Sequence, residues 1–355
     1  MTRGPVSGVN DLTPEFLTRA LTARLDGAHV TSVQATPIGT GQVSDSFRLR
    51  LTCDRPPDMP ETLVAKIPAA DPASRNAARV FRTYEIEACF YGQLAVGLPV
   101  ALATCYYAGY DAEPDDYVVL LEDLAPACPG DQLAGITPDQ AASAIDELAA
   151  LHGAGWGSKT LAELTWLNRS SPEGAQLMTA VVTGMYPGFR DRYAARLEPE
   201  TLPLIENFLP RMAGYLEARD GPRTIVHGDF RADNLLFGNA RPFVLDWQTC
   251  SFGAGAGDLS YFLASSLTAG DRQRHEEDLV RRYHAELSAR GVRLSWNDCW
   301  NDYRRYAFAG IVMDIIAAMF VQQTERGDEM FSAMADRHAR HAIDLDSLRL
   351  LPERG

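Results

Sequence analysis

No C-x-x-C pair occurs in this chain, and its six cysteines (Cys53, Cys89, Cys105, Cys128, Cys250 and Cys299) lie scattered, with no histidines clustered about them. That spacing argues against a structural zinc site or a disulfide scaffold and predicts a reduced, cytosolic protein. Long apolar runs are missing too. The longest, Ala307 to Val321, is interrupted by Gly310 and Asp314. A membrane span needs about twenty apolar residues, so this run reads as a buried helix and no membrane association is expected. The opening residues, MTRGPVSGVNDLTPEF, hold no apolar signal core, so secretion is not expected either. Positive charge is scarce: 33 Lys and Arg face 47 Asp and Glu, a net charge of −14. Phosphate backbones need a basic surface, so nucleic acid is not an expected partner.

What remains is an ordinary globular composition, 46% hydrophobic and 23% charged, over 355 residues. That length suits two domains or one two-lobed protein. Its most informative stretch is IVHGDFRADNLLFGNARPFVLDWQTCSFGAGAGDLSYF, residues 225–262. A short apolar strand, Thr224 to Val226, leads into a polar loop. Two more apolar runs, Leu235–Phe237 and Pro242–Leu245, follow around a Gly238-Asn239 turn, which is a hairpin signal. The loop presents Asp229 and, five residues later, Asn234; the hairpin is expected to deliver Asp246 beside that loop. An acid, an amide and a second acid so arranged match the catalytic end of a kinase. There the first acid handles the acceptor hydroxyl, while the amide and second acid hold magnesium against the triphosphate. A chance match to His-Gly-Asp, four residues, then Asn is expected on the order of once in a thousand chains of this length.

Upstream signals agree with this reading. Thr13-Pro14-Glu15 opens a helix over 11–25, with Phe16, Leu17, Leu21 and Leu25 at helical spacing. Gly39 and Gly41 lie between two strand-like runs, where a glycine turn lets backbone approach phosphates. Lys66 then sits inside the apolar strand Leu63-Val64-Ala65-Lys66-Ile67, where it must be paired or snorkel. A helix over 74–94 carries Glu85 and Glu87 as candidate partners. Glu87 is preferred, since it lies near the apolar face of Phe90 and Tyr91. Two runs, Val100–Tyr107 and Tyr117–Leu121, complete a small antiparallel sheet. Leu121-Glu122-Asp123-Leu124 and a Pro- and Gly-rich loop then mark a lobe boundary.

From Thr137 onward the chain reads as helical. His152 ends an apolar helix face and reads as a satisfied core histidine. Trp166, Met178, Met185 and Tyr186 read mostly as core, with some available to line an acceptor pocket. His338 and His341 share a helix face, but no further ligand pattern joins them.

HGDFRADN, VLDWQ and GDLSYF resemble the aminoglycoside-phosphotransferase-like family of small-molecule kinases. EIEACFYGQL, VVLLEDL, ELAALHGAGWG and DWQTCSFGAGAGDLSYFL look more narrowly like its ecdysteroid-kinase-like branch, over roughly residues 30–265. The resemblance implies an α+β, bilobal protein-kinase-like fold. An N-terminal antiparallel sheet lobe with one helix would span 1–121, and a larger, mainly helical lobe 122–355. It implies Asp229 as catalytic base, Asn234 and Asp246 as magnesium ligands, and Lys66 on the ATP phosphates with Glu87 as partner. Residues 121–124, through Glu122 and Leu124, would form the adenine hinge. His227 would match the catalytic-loop histidine, and Asp258 the acid that steadies that loop. Gly228 stands where protein kinases carry an arginine, and neither Asp-Phe-Gly nor Ala-Pro-Glu occurs, so a constitutively assembled small-molecule kinase follows. The expected function is ATP- and magnesium-dependent phosphorylation of a hydroxyl on a small organic molecule. The alternatives are a catalytically silent nucleotide-binding protein and an antibiotic-inactivating phosphotransferase.

Overall fold

The structure, a computed structural model, describes residues 6–39, 43–217, 221–238, 241–321 and 323–352. The chain forms two compact units. The first comprises Met1–Gly97, Leu102–Pro126 and Asp246–Thr249, and the second Leu98–Ala101, Ala127–Leu245 and Cys250–Gly355.

The first unit is built on a five-stranded antiparallel sheet. Its strands are β1 (Val30–Pro37), β2 (Ser44–Cys53), β3 (Thr62–Pro68), β4 (Cys105–Asp111) and β5 (Asp116–Glu122), in the order β1-β2-β3-β5-β4. Two short helices precede it, α1 (Pro14–Ala20) and α2 (Thr22–Leu25). Thr13 caps α1 by accepting from the Phe16 amide at 3.2 Å. Phe16, Leu17, Leu21 and Leu25 pack with Leu49, Leu63, Ala65, Ile67, Val118 and Leu120 in one buried cluster. Side chains alternate across a strand, so with Leu63, Ala65 and Ile67 in that cluster, Lys66 faces the other way. Directly opposite Lys66 lies Val119 of β5.

The helix expected over 74–94 is broken into pieces. Following α3 (Pro72–Phe81), Arg82 takes a left-handed φ of 58°, α4 runs Thr83–Cys89, and a wider π-turn continues through Phe90–Leu94. Both candidate acids lie in α4, after the break, and differ in their surroundings: Arg82 holds Glu85 through two 2.8 Å bonds, while Glu87 is fully buried.

The second unit is mostly helical among the described residues. After the two-residue strand β6 (Cys128–Pro129) come α5 (Pro138–Gly155), α6 (Lys159–Ala162), α7 (Pro172–Tyr193), α8 (Thr201–Phe208) and α9 (Met212–Leu216). Thr137 and Gln140 form a reciprocal capping box at the start of α5. Short strands follow: β7 (Thr224–Val226), β8 (Leu235–Phe237), β9 (Phe243–Val244) and β10 (Ser251–Gly253). β8 pairs with β9, as the hairpin reading expects, and β7 pairs with β10. Asn239 of the predicted turn lies outside the described residues.

The rest comprises α10 (Gly255–Ser266), α11 (Ala269–Ala289), α12 (Trp296–Arg305), α13 (Ala309–Phe320) and α14 (Glu325–Asp344). Helix α10 is buried continuously from Asp258 to Ser266, with α5, α11, α12, α13 and α14 packed around it. Its sequence, GAGDLSYFLASS, is apolar or small on every side, which suits a central helix. The apolar run near residue 310 is the buried helix α13. No helix among the described residues is long and apolar enough to cross a membrane.

Candidate active site

In the first unit, polar chemistry collects on the sheet face opposite the α1–α2 cluster. Lys66 Nζ donates to Glu87 Oε1 at 2.5 Å and to Asp246 Oδ1 at 2.9 Å. Its side chain is 12% exposed and Glu87 is wholly buried, so this ion pair is nearly dry. Burial works against the Lys66 charge, but Asp246 and Glu87 outweigh it and raise its pKa above the ordinary lysine value. Burial likewise pushes the Glu87 carboxyl up, against the pull of Lys66. Gln248 Nε2 donates to Glu87 Oε2 at 3.2 Å and to Ser44 Oγ at 2.8 Å, and Tyr117 adds its hydroxyl to Glu87 at 3.4 Å. Between Asp246 and Gln248, Trp247 stacks on Phe90 with ring centroids 3.9 Å apart. Asp246 itself takes a left-handed φ of 64°, which Asp tolerates better than most side chains.

The remaining first-unit residues flank this cluster in sequence. Gly39 has φ +71°, a conformation that favours glycine, while Gly41 lies outside the described residues. Glu122 Oε2 accepts from the Thr104 amide and hydroxyl, and Asp123 is gripped by Arg48 through two bonds of 2.7 and 3.0 Å. Leu124, two residues before the first unit's Pro126 boundary, is half-buried.

In the second unit, the loop after β7 hangs from α10. Asp258 accepts from the backbone amides of His227 at 2.6 Å and Gly228 at 2.9 Å. Gly228 has φ +82°, which explains a glycine there on backbone grounds. His227 donates from Nε2 to the Leu245 carbonyl at 2.8 Å and accepts at Nδ1 from the Asp229 amide at 3.2 Å, so its tautomer is set by its partners. Asn234 Nδ2 donates to the Asp229 carbonyl and to Asp229 Oδ2 at 2.8 and 2.9 Å. With its nitrogen so engaged, the Asn234 side chain has its oxygen to offer a hard cation. The Leu245 amide donates to the Asn234 carbonyl at 2.9 Å, which ties the end of the hairpin to the loop.

Three supports of this loop are absent from the sequence reading. Tyr261 donates to Asp229 Oδ1 at 2.7 Å; burial, then the Asp229 charge, hold its hydroxyl protonated. Arg231 Nε lies 3.1 Å from Asp229 Oδ1, and its NH1 reaches Asp233 at 2.8 Å. Ser266 accepts from the Ala232 amide at 3.0 Å. A signal existed: 258, 261, 265 and 266 share one face of a helix. His152, read as a satisfied core residue, accepts from the Tyr283 hydroxyl at 2.6 Å and donates to Asp258 at 3.3 Å. His338 pairs with Asp314 at 2.7 Å, whereas His341 lies 2.9 Å from the Tyr303 hydroxyl. No group of three or more His, Cys, Asp or Glu among the described residues is arranged to hold a metal. Trp166 and Tyr186 are core, and Met178 and Met185 half-buried.

Among solved structures, the chain resembles a candidate aminoglycoside phosphotransferase from Ralstonia eutropha JMP134, at 18% identity and a TM-score of 0.58, covering 96% of this chain and 99% of that one. A choline kinase from Cryptosporidium parvum aligns at 9% identity and a TM-score of 0.55, covering 88% and 89%. Macrolide 2'-phosphotransferase MphH from Brachybacterium faecium aligns at 18% identity and a TM-score of 0.50, covering 91% and 97%. At these identities the likeness is one of fold, which is protein-kinase-like. No curated protein matches the chain in sequence. The profile of the ecdysteroid kinase-like family matches residues 39–295, a span that includes Lys66, Glu87, Asp229, Asn234, Asp246 and Asp258. The chain belongs to the ecdysteroid kinase-like family.

Proposed function

We propose that the protein moves the γ-phosphoryl group of ATP, with magnesium, onto a hydroxyl of a small organic molecule in the cytoplasm. The observation that carries this reading is Lys66, a charged side chain kept in an otherwise apolar strand by two carboxylates, Glu87 and Asp246. A strand lysine paired with a helix glutamate is what phosphoryl-transfer enzymes use to grip the α- and β-phosphates. Gly39 and Gly41 cover the phosphates, and backbone groups at Glu122 and Leu124 meet the adenine. Side chains of Glu122 and Asp123 are already spent on Thr104 and Arg48, which suits a connector read through its backbone.

Asp229 orients the acceptor hydroxyl and takes its proton as the bond to phosphorus forms. His227 and Asp258 hold the loop in shape. Asn234 and Asp246 would hold magnesium through hard oxygen donors, the kind that ion prefers. Magnesium, when bound, supplies charge neutralisation at the β- and γ-phosphate oxygens. The choline kinase and the phosphotransferases of similar fold are named for small-molecule acceptors, which supports a small acceptor here.

The test is thermal stabilisation by ATP with and without magnesium, in wild type and Asp246→Ala, followed by turnover against hydroxylated steroids, sugars, amino alcohols and antibiotics. A ligand that binds only the folded state raises its apparent stability. The expected result is stabilisation whose magnesium-dependent part is lost in Asp246→Ala, together with phosphorylation of an acceptor that the variant does not support. Full turnover by Asp246→Ala would remove the role assigned to it.

A further inference from the structure

The Lys66 cluster holds more negative charge than positive. Two carboxylates, Glu87 and Asp246, share one ammonium, and Glu87 is fully buried. Lys66 satisfies Glu87 Oε1, so Oε2 must find donors that bring no further charge. It finds two, Gln248 Nε2 at 3.2 Å and the Tyr117 hydroxyl at 3.4 Å. The same Gln248 nitrogen reaches Ser44 Oγ at 2.8 Å, at the first residue of β2. Gln248 is 4% exposed, Ser44 3% and Tyr117 1%, so water has little access to stand in for any of them.

A primary amide suits this position, because it carries two N–H donors and no charge. Glutamate there would present only acceptors to Glu87 and Ser44 and add a third carboxylate to a dry cluster. The DWQ tripeptide, itself part of the first unit, thereby makes three contacts within it. Asp246 bonds Lys66, Trp247 stacks on Phe90, and Gln248 bonds Glu87. Phe90 and Glu87 are successive turns of the same broken helix, so two of the three grips fall on it.

We propose that Gln248 is a positioning residue that holds Glu87 against Lys66 and ties both to Ser44 at the start of β2, so that the phosphate-gripping pair stands assembled before nucleotide arrives. The proposal rests on the reading of Lys66 as a nucleotide ligand. It deepens that reading by assigning the standing order of the pair to a neutral amide carried two residues beyond Asp246.

The experiment compares wild type, Gln248→Met, Gln248→Glu and Lys66→Met. Met matches Gln in length and volume without the donors, so Gln248→Met is the variant that keeps the fold if Gln248→Glu does not. Two readouts are taken: the Kd for magnesium-ATP by calorimetry, and hydrogen exchange of the 83–89 amides in ligand-free protein. Loss of a hydrogen bond to a charged group predicts a Kd about tenfold weaker in Gln248→Met. A folded Gln248→Glu should be weaker still, and both variants should speed exchange over 83–89 relative to the rest of the first unit. The ranking of Glu below Met at equal melting temperature is the readout that simple packing loss would not produce. If Lys66→Met abolishes binding while Gln248→Met binds within twofold of wild type, the role of Gln248 is overturned and the kinase reading stands. If wild type binds no ATP, the nucleotide reading fails; unchanged exchange in Gln248→Met then overturns the clamp as well.

Discussion

The Lys66 cluster and the Asp229 loop place their acids in opposite ways. The loop depends on one helix: Asp258, Tyr261 and Ser266 of α10 reach residues 31, 32 and 34 positions earlier, at His227, Asp229 and Ala232. Two of those three contacts are to backbone amides, so the loop's path is held largely without regard to its side chains. The lysine cluster is held by side chains alone, drawn from β2, β3, α4, β5 and the segment after Asp246. Its contacts span 21, 161, 180 and 204 positions, from Lys66–Glu87 to Ser44–Gln248. A scaffold made of one helix turns as a body and keeps its loop in register. A cluster stitched from five segments exists only once the sheet has formed.

The sharpest way to separate the two regions is to remove the candidate base. Asp229→Asn keeps the shape of the side chain and should cost turnover about a thousandfold, the scale of a general base, while leaving magnesium-ATP affinity unchanged. Turnover with a screened acceptor and calorimetry on the same preparation check this. Equal losses in both would mean that Asp229 serves nucleotide binding and not the acceptor proton alone.

The next effect falls on stability. Asp258→Ala strips the His227 and Gly228 amides of a charged acceptor and leaves His152 without its carboxylate. Buried groups deprived of such partners predict a loss of about 3 kcal/mol in urea unfolding. A loss below about 1 kcal/mol would show that the loop keeps its path without the Asp258 carboxylate.

The smallest effect is a pH dependence confined to the lysine cluster. The Lys66 pKa is raised on folding, so its ion pairs stabilise the protein fully below the unfolded lysine value of 10.5, and that contribution is lost as pH rises through the higher folded value. Buried tyrosines such as Tyr117 shift in the same direction, so the measurement is the difference between wild type and Lys66→Met. That difference should be constant from neutral pH to about 10 and shrink above it. A difference that already shrinks below pH 9 would contradict the raised value.

Much of this is legible in the sequence alone. The strand lysine, the His-Gly-Asp loop and the hairpin carrying Asp246 all rest on short local patterns, and such patterns are where periodicity and turn chemistry speak clearly. The break at Arg82 was not legible. It has neither Gly nor Pro, and its left-handed φ is sustained by the packing of α3 and α4 on the sheet. Tyr261 and Gln248 are illegible for a different reason. Tyrosine in an apolar helix and glutamine after a tryptophan each have ordinary uses, and only their partners mark them out.

By itself the sequence determined the family, the alternation that turns Lys66 away from the apolar cluster, and the buried character of α10 and α13. Those follow from local pattern, because strand and helix periods decide which face a side chain takes. Tertiary structure alone decided that Glu87 meets Lys66 while Glu85 turns back to Arg82. It also decided that Tyr261 supports Asp229 and that a glutamine satisfies the second oxygen of a buried carboxylate. A hydrogen bond between Ser44 and Gln248 carries no local signature; it forms because the folded sheet leaves buried polar atoms that must find partners among whatever side chains lie within reach.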